Sequence, residues 1–168
     1  MLNSLLTRPS TKTPAKSPDF DFLMGIWSVR HRYLLKRLAD CREWIEFDGC
    51  CAARNILNGF GNMDEADINL PGSPYRGMSL RTWDSDAAKW SIYWLDSRRP
   101  GRITPPVKGG FAKGIGTFYG DDEYERRAIR VRFVWSRITP TTARWDQSFS
   151  LDAGASWETN WIMDFTRM

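Results

Sequence analysis

Short runs in which apolar and polar residues alternate dominate the chain from residue 26 onward. These runs are rich in β-branched and aromatic residues, and clusters of Gly, Pro, Asp and Ser separate them. A two-residue period between such turn clusters predicts β-strands joined as hairpins. The predicted strands are residues 26–36, 42–54, 55–60, 65–69, 75–83, 88–95, 105–111, 114–120, 128–138, 142–150 and 156–166.

This succession of strands predicts an all-β domain, since no convincing 3.6-residue period follows residue 25. A sheet of about ten strands must protect its two edges, and closing it into a barrel removes both. The predicted fold class is therefore a single antiparallel up-and-down β-barrel of about ten strands.

The segment "PDFDFLMG", residues 18–25, carries helix start and stop signals in place of the strand pattern. Ser17 suits a helix N-cap, Pro18 suits the first helical position, and Gly25 suits a helix end. These signals predict a short N-terminal helix that plugs one end of the barrel.

A chain of 168 residues with 42% hydrophobic content is sufficient for one domain with its own core. Residues 1–17 are rich in Ser, Thr, Pro and Lys and predict a disordered leader. Residues 18–168 form the predicted barrel domain. The net charge is +4, but the leader holds three basic residues and no acidic one, so the barrel is close to neutral. We therefore expect no nucleic-acid partner.

The sequence contains no membrane span, because no stretch approaches about 18 apolar residues. The apolar run near the start, "LNSLL", is too short for the core of a secretion signal. Cys41, Cys50 and Cys51 are an odd number of cysteines, and adjacent strand residues face opposite ways. These features predict reduced thiols in a cytoplasmic protein without membrane association.

The stretch "SLDAGASW", residues 150–157, has the pattern S-x-D-x-G-x-x-W and resembles the Asp-box hairpin of sialidases. In such a turn the carboxylate of Asp152 accepts hydrogen bonds from turn amides, and Gly154 takes a positive φ. One copy indicates a hairpin and carries no functional information.

The stretch "DFLMGIWSV" joins the predicted helix to a G-x-W, formed by Gly25 and Trp27, on the first strand. This opening resembles that of lipocalins and other calycin barrels. In lipocalins the Trp closes one end of the barrel and an arginine late in the chain covers it. The resemblance implies a calycin-like barrel in which Arg167 covers Trp27.

Residues from about 19 to 168 resemble more closely a group of uncharacterised bacterial proteins with a domain of unknown function. The resembling segments are "DFLMGIWSVRHR", "GFGNMDE", "YRGMSLR", "WSIYWLD", "GTFYGDDEYE", "IRVRFVWS" and "TNWIMDFTR". This resemblance implies a barrel related to the ten-stranded nitrobindins and brings no established activity. Nitrobindins hold haem through a histidine near the C-terminus. The last predicted strand here has no histidine, so we expect no cofactor and disfavour haem.

His31 is the only histidine, and it shares a strand face with Trp27 and Tyr33. If Trp27 points inward, His31 lies inside the barrel. Three interpretations stay open: an interior histidine satisfied by a neighbour, a ligand contact or acid–base catalyst, and a ligand to metal or haem. A metal site needs three or four ligands, and no spacing here suggests one, so no metal is predicted.

The strand 42–54 has one face of mixed character, which begins with Trp44 and Glu46. Charged groups beside aromatic ones suit a polar cavity lining. The same face equally suits solvent, with Ile45 and Phe47 pointing inward. Both orientations stay open.

The segment "NGFGNMDE", residues 58–65, is predicted to be a loop. It is either a surface turn or a rim loop that brings Asn62, Asp64 and Glu65 to a ligand or to His31. The spacing does not make the two carboxylates an acid–base pair.

Aromatic residues make up 14% of the chain and include nine Trp, which requires a thick core or an aromatic cavity. Polar side chains between aromatic ones on mid-strand positions suit the lining of such a cavity. The candidate ligand contacts are Tyr33, Trp44, Glu46, Asn62, Asp64, Glu65, Arg81, Tyr93, Gln147, Asn160 and Trp161, with His31 as the candidate catalytic residue.

The sequence therefore predicts a barrel that binds a small hydrophobic or aromatic molecule. The alternative is an isomerase, cyclase or dehydratase that uses His31 as acid or base, so enzyme activity stays undecided. A haem or nitric-oxide protein is a third interpretation. A fourth is an interaction module with a packed interior that forms a homodimer through a barrel face.

Overall fold

The computed structural model describes residues 15–168. Within them the chain forms ten strands and two short 3-10 helices, Asp21–Leu23 and Leu57–Gly59. The predicted leader lies mostly outside the described residues. The strands are β1 (Gly25–Leu34), β2 (Trp44–Ile56), β3 (Gly61–Ile68), β4 (Tyr75–Asp84), β5 (Lys89–Asp96), β6 (Val107–Ala112), β7 (Ile115–Tyr124), β8 (Arg127–Ser136), β9 (Thr142–Ser150) and β10 (Glu158–Arg167).

Every strand pairs antiparallel with its neighbours in sequence, and β1 also pairs with β10 to close the barrel. The closing ladder runs from Trp27 opposite Arg167 to Tyr33 opposite Trp161. Closure leaves no free edge on the sheet. The predicted antiparallel up-and-down barrel of ten strands is confirmed.

The predicted N-terminal helix is wrong, because the segment forms only the three-residue 3-10 helix Asp21–Leu23. Side chains of the barrel donate hydrogen bonds to the carbonyl groups that would accept backbone bonds in a longer helix. Trp27 Nε1 donates to the Leu23 carbonyl at 2.7 Å, and Arg167 donates to the carbonyls of Phe22 and Met24. Phe20 and Leu23 are buried against the barrel instead. No helix of residues 15–168 is long and apolar enough to cross a membrane.

One end of the barrel is closed by Trp27 and Arg167. The indole is fully buried, and the guanidinium carbon lies 4.1 Å from its ring centroid. Gly25 has φ +116°, and a Cβ there would lie 2.8 Å from Arg167 Nη1, so only glycine fits. The predicted cover of Trp27 by Arg167 is confirmed. We call this end, formed by residues 20–27 and Arg167, the closed end.

The predicted strand 55–60 and the predicted loop 58–65 are wrong, and the predicted strand 65–69 is the second half of a longer strand. The chain turns at residues 57–59, where Leu57 and Asn58 have φ near +50°, and β3 then runs unbroken from Gly61. Two of the polar residues that suggested a loop, Asn62 and Asp64, point inward along this strand, because the buried Arg81 pairs with both. The predicted strand 114–120 is too short, since β7 continues to Tyr124.

The hairpin between β9 and β10 has the predicted Asp-box geometry. Asp152 Oδ1 accepts hydrogen bonds from Ser150 Oγ at 2.7 Å and from the Ser156 amide at 2.8 Å. Gly154 has φ +99°. The hydrogen bond from Ser156 Oγ to Asp152 Oδ2, together with these two, holds the pKa of the Asp152 carboxyl well below its usual range.

The three cysteines are free thiols. As predicted, the adjacent pair faces opposite ways, since Cys51 is buried and Cys50 is exposed. Burial raises the pKa of the Cys51 thiol, which therefore stays protonated.

Arg167→Met tests the closed end. The variant loses charged hydrogen bonds to the carbonyls of Pro140, Met24 and Phe22, so we expect the free energy of unfolding to fall by about 2–4 kcal/mol. Urea unfolding followed by circular dichroism measures the change. Arg54→Met, at an exposed position on β2, is the control that removes the same charge. Equal stability of the two variants would contradict this role of Arg167.

Candidate functional site

The barrel encloses a cavity of about 510 Å³. It extends from the closed end to the opposite end, where the loops after β1, β3, β5, β7 and β9 form the rim; we call this the open end. Ten aromatic side chains line the cavity and give it a largely apolar wall. They are Tyr33, Tyr75, Trp94, Tyr124, Phe133, Trp135, Trp145, Phe149, Trp161 and Phe165.

Trp161 lies at the centre of this aromatic wall. The rings of Tyr33, Trp94 and Trp145 meet it edge to face, with centroids 5.5, 6.0 and 5.6 Å away. Trp94 comes from β5, which lies opposite β10 in the strand order, so its ring reaches across the interior. Edge-to-face contacts at these distances hold the rings in fixed orientations. The wall is therefore organised before any ligand enters.

His31 lies inside the barrel, 1% exposed, with its ring stacked on Phe47 at 4.8 Å. Its Nδ1 accepts a hydrogen bond of 3.1 Å from Trp161 Nε1. Gly49 leaves room for the ring, since a Cβ at that position would lie 2.8 Å from His31 Nε2. Burial lowers the pKa of His31 to about 4.

These contacts define the chemistry that His31 can perform. An indole N–H only donates, so Nδ1 must be unprotonated and the proton of the neutral ring is on Nε2. The ring stays neutral at physiological pH, and its one basic nitrogen is already engaged. His31 can therefore donate a hydrogen bond more readily than it can accept a proton.

A buried ion pair lies in the deeper half of the cavity, near the closed end. Arg81 Nη2 is 2.5 Å from Asp64 Oδ2, and both side chains are almost fully buried. Arg81 Nη1 also donates to Asn62 Oδ1 at 3.0 Å. The guanidinium lies 5.1 Å from the Phe20 ring centroid. Asp64 neutralises the charge of Arg81, so this end of the cavity is polar without a net charge.

Two arginines lie at the open end. Arg98 stacks on Tyr75, with 3.6 Å from the guanidinium carbon to the ring centroid, and forms a two-point ion pair with Asp96. Arg37 lies 4.2 Å from the Tyr33 ring centroid. No carboxylate of the described residues forms an ion pair with Arg37. Burial lowers the pKa of its guanidinium, yet an arginine stays charged at neutral pH.

Half of the residues predicted to form the site line this cavity. Two of the other six are buried but do not line the cavity. Asn62 and Asn160 are buried behind the lining: Asn62 accepts a hydrogen bond from Arg81, and Asn160 accepts one of 2.9 Å from Gln147. The predicted residues that line the cavity are His31, Tyr33, Asp64, Arg81, Gln147 and Trp161.

The remaining four predicted contacts, Trp44, Glu46, Glu65 and Tyr93, lie on the outer face of the barrel. Glu46 pairs with Arg30 on the outer face of β1 at 2.9 Å. Trp44 and Glu65 are exposed, and Tyr93 faces away from its inward neighbours on β5. On β2, the ion pair between Glu46 and Arg30 and the burial of Phe47 show that the face with Trp44 and Glu46 is the outer one. These four residues do not line the cavity, and their role as ligand contacts stays a prediction.

Two residues of the cavity, Arg37 and Arg98, are absent from the predicted site. Both lie on loops, Arg37 after β1 and Arg98 after β5. Basic residues on loops usually face solvent, and no local pattern distinguishes these two. The one usable signal is their position just after strands that carry Tyr33 and Trp94 on the inward face.

No group of three or more His, Cys, Asp or Glu side chains in residues 15–168 is arranged to hold a metal ion.

The described residues thus form an antiparallel up-and-down β-barrel of ten strands around a cavity lined by aromatic side chains. A solved structure with the same fold is the S-type phycobiliprotein lyase CPES from Guillardia theta. It has a TM-score of 0.55 and 14% sequence identity, over 89% of this chain and 90% of that one. This likeness shows the fold alone.

No family model matches the chain, and no curated protein matches it. The resemblance to an uncharacterised bacterial family therefore stays a prediction.

The depressed pKa of His31 predicts a pH-dependent stability. The unfolded chain binds a proton on His31 near pH 6.5, whereas the folded protein does so only at about 4. The free energy of unfolding therefore falls as pH drops through this window, by at most about 3 kcal/mol from this group. Above the window the contribution is constant.

Urea unfolding from about pH 8 to about pH 4 measures this dependence, with His31→Asn as the comparison. Asn can accept the hydrogen bond from Trp161 Nε1 and does not titrate. The difference in stability between the two proteins should therefore change across the window. Parallel pH profiles would contradict the neutral, buried state of His31.

The ion pair between Asp64 and Arg81 generates a second prediction. Asp64→Leu leaves a buried, unpaired guanidinium and should lower the free energy of unfolding by about 3–5 kcal/mol. Arg81→Met in the same chain removes that charge and should recover most of the loss. Urea unfolding of both single variants and of the double variant measures the coupling. Additive losses in the double variant would contradict a compensated pair.

Proposed function

We propose that this protein binds a small, largely apolar aromatic molecule inside its barrel. The observation that carries the proposal is the 510 Å³ cavity walled by ten aromatic side chains. Sites for small molecules are usually concave, about 300–1,000 Å³ in volume, and mostly apolar with a few polar groups. This cavity has all of these properties.

The arrangement of the wall supports an aromatic occupant. Trp145 and Trp161 present a ring edge and a ring face at right angles, and a planar molecule beside them can make both kinds of contact. His31, Gln147 and Arg81 supply isolated polar groups on the same wall. Such groups orient a ligand while the rings supply most of the contact area.

Other interpretations have less support. A packed interaction module would leave little interior space, whereas this barrel retains a cavity. Catalysis or haem ligation by His31 needs a free basic nitrogen, but Nδ1 already accepts the Trp161 hydrogen bond and Nε2 lies against Gly49. The solved barrel of the same fold is a phycobiliprotein lyase, so this fold also occurs in an enzyme. The proposal rests on the cavity of this chain.

Titration with N-phenyl-1-naphthylamine, a neutral aromatic dye, tests the proposal. We expect a saturable rise in dye fluorescence with one site per chain. Ala66→Phe places a ring in the cavity from β3 and should weaken binding at least about tenfold.

Ala52→Phe is the matched control, because Ala52 is exposed on the outer face of β2. It should bind the dye as the unaltered protein does. Equal binding by both variants would locate the dye on the surface and contradict the proposal, as would an absence of saturable binding.

A further inference from the structure

The interior of this barrel contains polar groups without a protein partner, and all of them are nitrogens. Buried side-chain polar groups in folded proteins are almost always hydrogen-bonded. Because Nδ1 of His31 accepts a bond from Trp161, its Nε2 carries hydrogen, and so do all the others. In the described part of the chain, the atoms of this kind on residues that line the cavity are His31 Nε2, Arg37 Nε and Nη2, Arg81 Nε and Trp135 Nε1. Two further buried nitrogens without a partner, Arg132 Nε and Asn160 Nδ2, belong to residues that do not line it. The interior therefore has an excess of donors, which matches a ligand that carries acceptors.

Arg37 differs from the other residues that line the cavity with unpartnered donors. Trp135 and the neutral His31 carry no charge, and Asp64 neutralises Arg81. Arg37 keeps its positive charge and forms no ion pair with the acidic side chains of residues 15–168. Its neighbour Arg98 is already paired with Asp96. The open end of the cavity thus holds a cation that lacks a counterion within the described protein.

The environment of Arg37 fixes its orientation. The guanidinium carbon lies 4.2 Å from the ring centroid of Tyr33, 5.4 Å from that of Phe149 and 6.0 Å from that of Trp161. Stacking on aromatic rings stabilises the planar cation and leaves its edges free to donate. Two of the edge atoms, Nε and Nη2, are buried without a partner.

These two atoms form the edge that holds carboxylates elsewhere in this protein. Arg144 donates through Nε and Nη2 to the two oxygens of Asp164, at 2.7 and 2.8 Å. Arg98 does the same with Asp96, at 3.0 and 2.7 Å. A guanidinium edge of this kind matches the spacing of two carboxylate oxygens. In Arg37 the same edge lacks its acceptor.

We propose that the molecule bound in the cavity is an aromatic carboxylate, whose two oxygens accept hydrogen bonds from Nε and Nη2 of Arg37 at the open end. The inference rests on the proposed binding function and adds the charge and position of one ligand group. The rings of the ligand then lie deeper, against Trp161 and its aromatic neighbours. Arg37 is a binding residue in this assignment.

A matched pair of probes tests the inference: anthracene-9-carboxylate and its neutral amide, anthracene-9-carboxamide. Calorimetric titration at neutral pH gives the affinity of each. We expect the carboxylate to bind roughly tenfold to a hundredfold more tightly, as a charged, two-point hydrogen bond implies.

Arg37→Met keeps a long apolar side chain beside Tyr33 and removes the charge, so the preference for the carboxylate should disappear. Arg37→Lys keeps the charge without the paired edge and should retain only part of the preference. Arg42→Met is the matched control, because Arg42 is exposed on the same loop and its loss changes the net charge equally. The control should keep the full preference.

Equal affinity of the unaltered protein for both probes would overturn this inference and leave the binding function standing. A preference that survives in Arg37→Met would overturn it as well. If neither probe nor the neutral dye binds, the proposed function fails and this inference fails with it. The comparison of the two probes on the unaltered protein needs no variant, so a failure of Arg37→Met to fold leaves the test intact.

A stability measurement separates binding from a structural role. Without ligand, Arg37→Met should be at least as stable to urea as the unaltered protein, because it removes a buried charge that lacks a counterion. A clear loss of stability would assign Arg37 to holding the loop and overturn its role as the carboxylate site.

Discussion

The ladder between β1 and β10 holds the ends of the described chain together and turns a meander into a barrel. Its register places Trp27 opposite Arg167 and Tyr33 opposite Trp161. The first pair closes one end of the barrel, and the second forms part of the aromatic wall. A shift of one residue would turn every side chain of β1 to the other face, and His31 would leave the interior. The closed end and the candidate site therefore depend on the same set of backbone hydrogen bonds.

The buried arginines at the two ends of the cavity differ in whether a carboxylate of the protein pairs with them. Near the closed end Asp64 neutralises the charge of Arg81 and Asn62 accepts one of its hydrogen bonds, so this guanidinium needs no counterion from a ligand. At the open end Arg37 is stacked, desolvated and unpaired with any carboxylate of the described residues. Local arrangements that cost stability concentrate at functional sites in folded proteins. This contrast is why the proposed ligand contact is assigned to the open end.

The sequence predicted the strands well because their signal is local. Alternation placed Trp27, His31 and Tyr33 on one face without knowledge of any partner strand, and the turn residues of 150–157 determined their own hairpin. The same reasoning failed where tertiary partners decide the outcome. Asn62 and Asp64 suggested a loop because polar residues rarely face a barrel interior, yet Arg81, almost twenty residues away, makes that orientation favourable. The helical signals of residues 18–25 were likewise overruled, since Trp27 and Arg167 take the carbonyl groups.

By itself, then, the sequence determined the all-β class, the approximate number of strands and the shared strand face of Trp27 and His31, because each follows from a two-residue period between turn residues. Only the tertiary structure decided which face of β2 is inward, since Glu46 could be satisfied by Arg30 in solvent or by a group inside. It alone brought Arg37 from a loop onto the rings of Tyr33 and Phe149. The local sequence does not distinguish an arginine that faces solvent from one that lines a cavity. Its partners, or the lack of them, are a property of the folded chain.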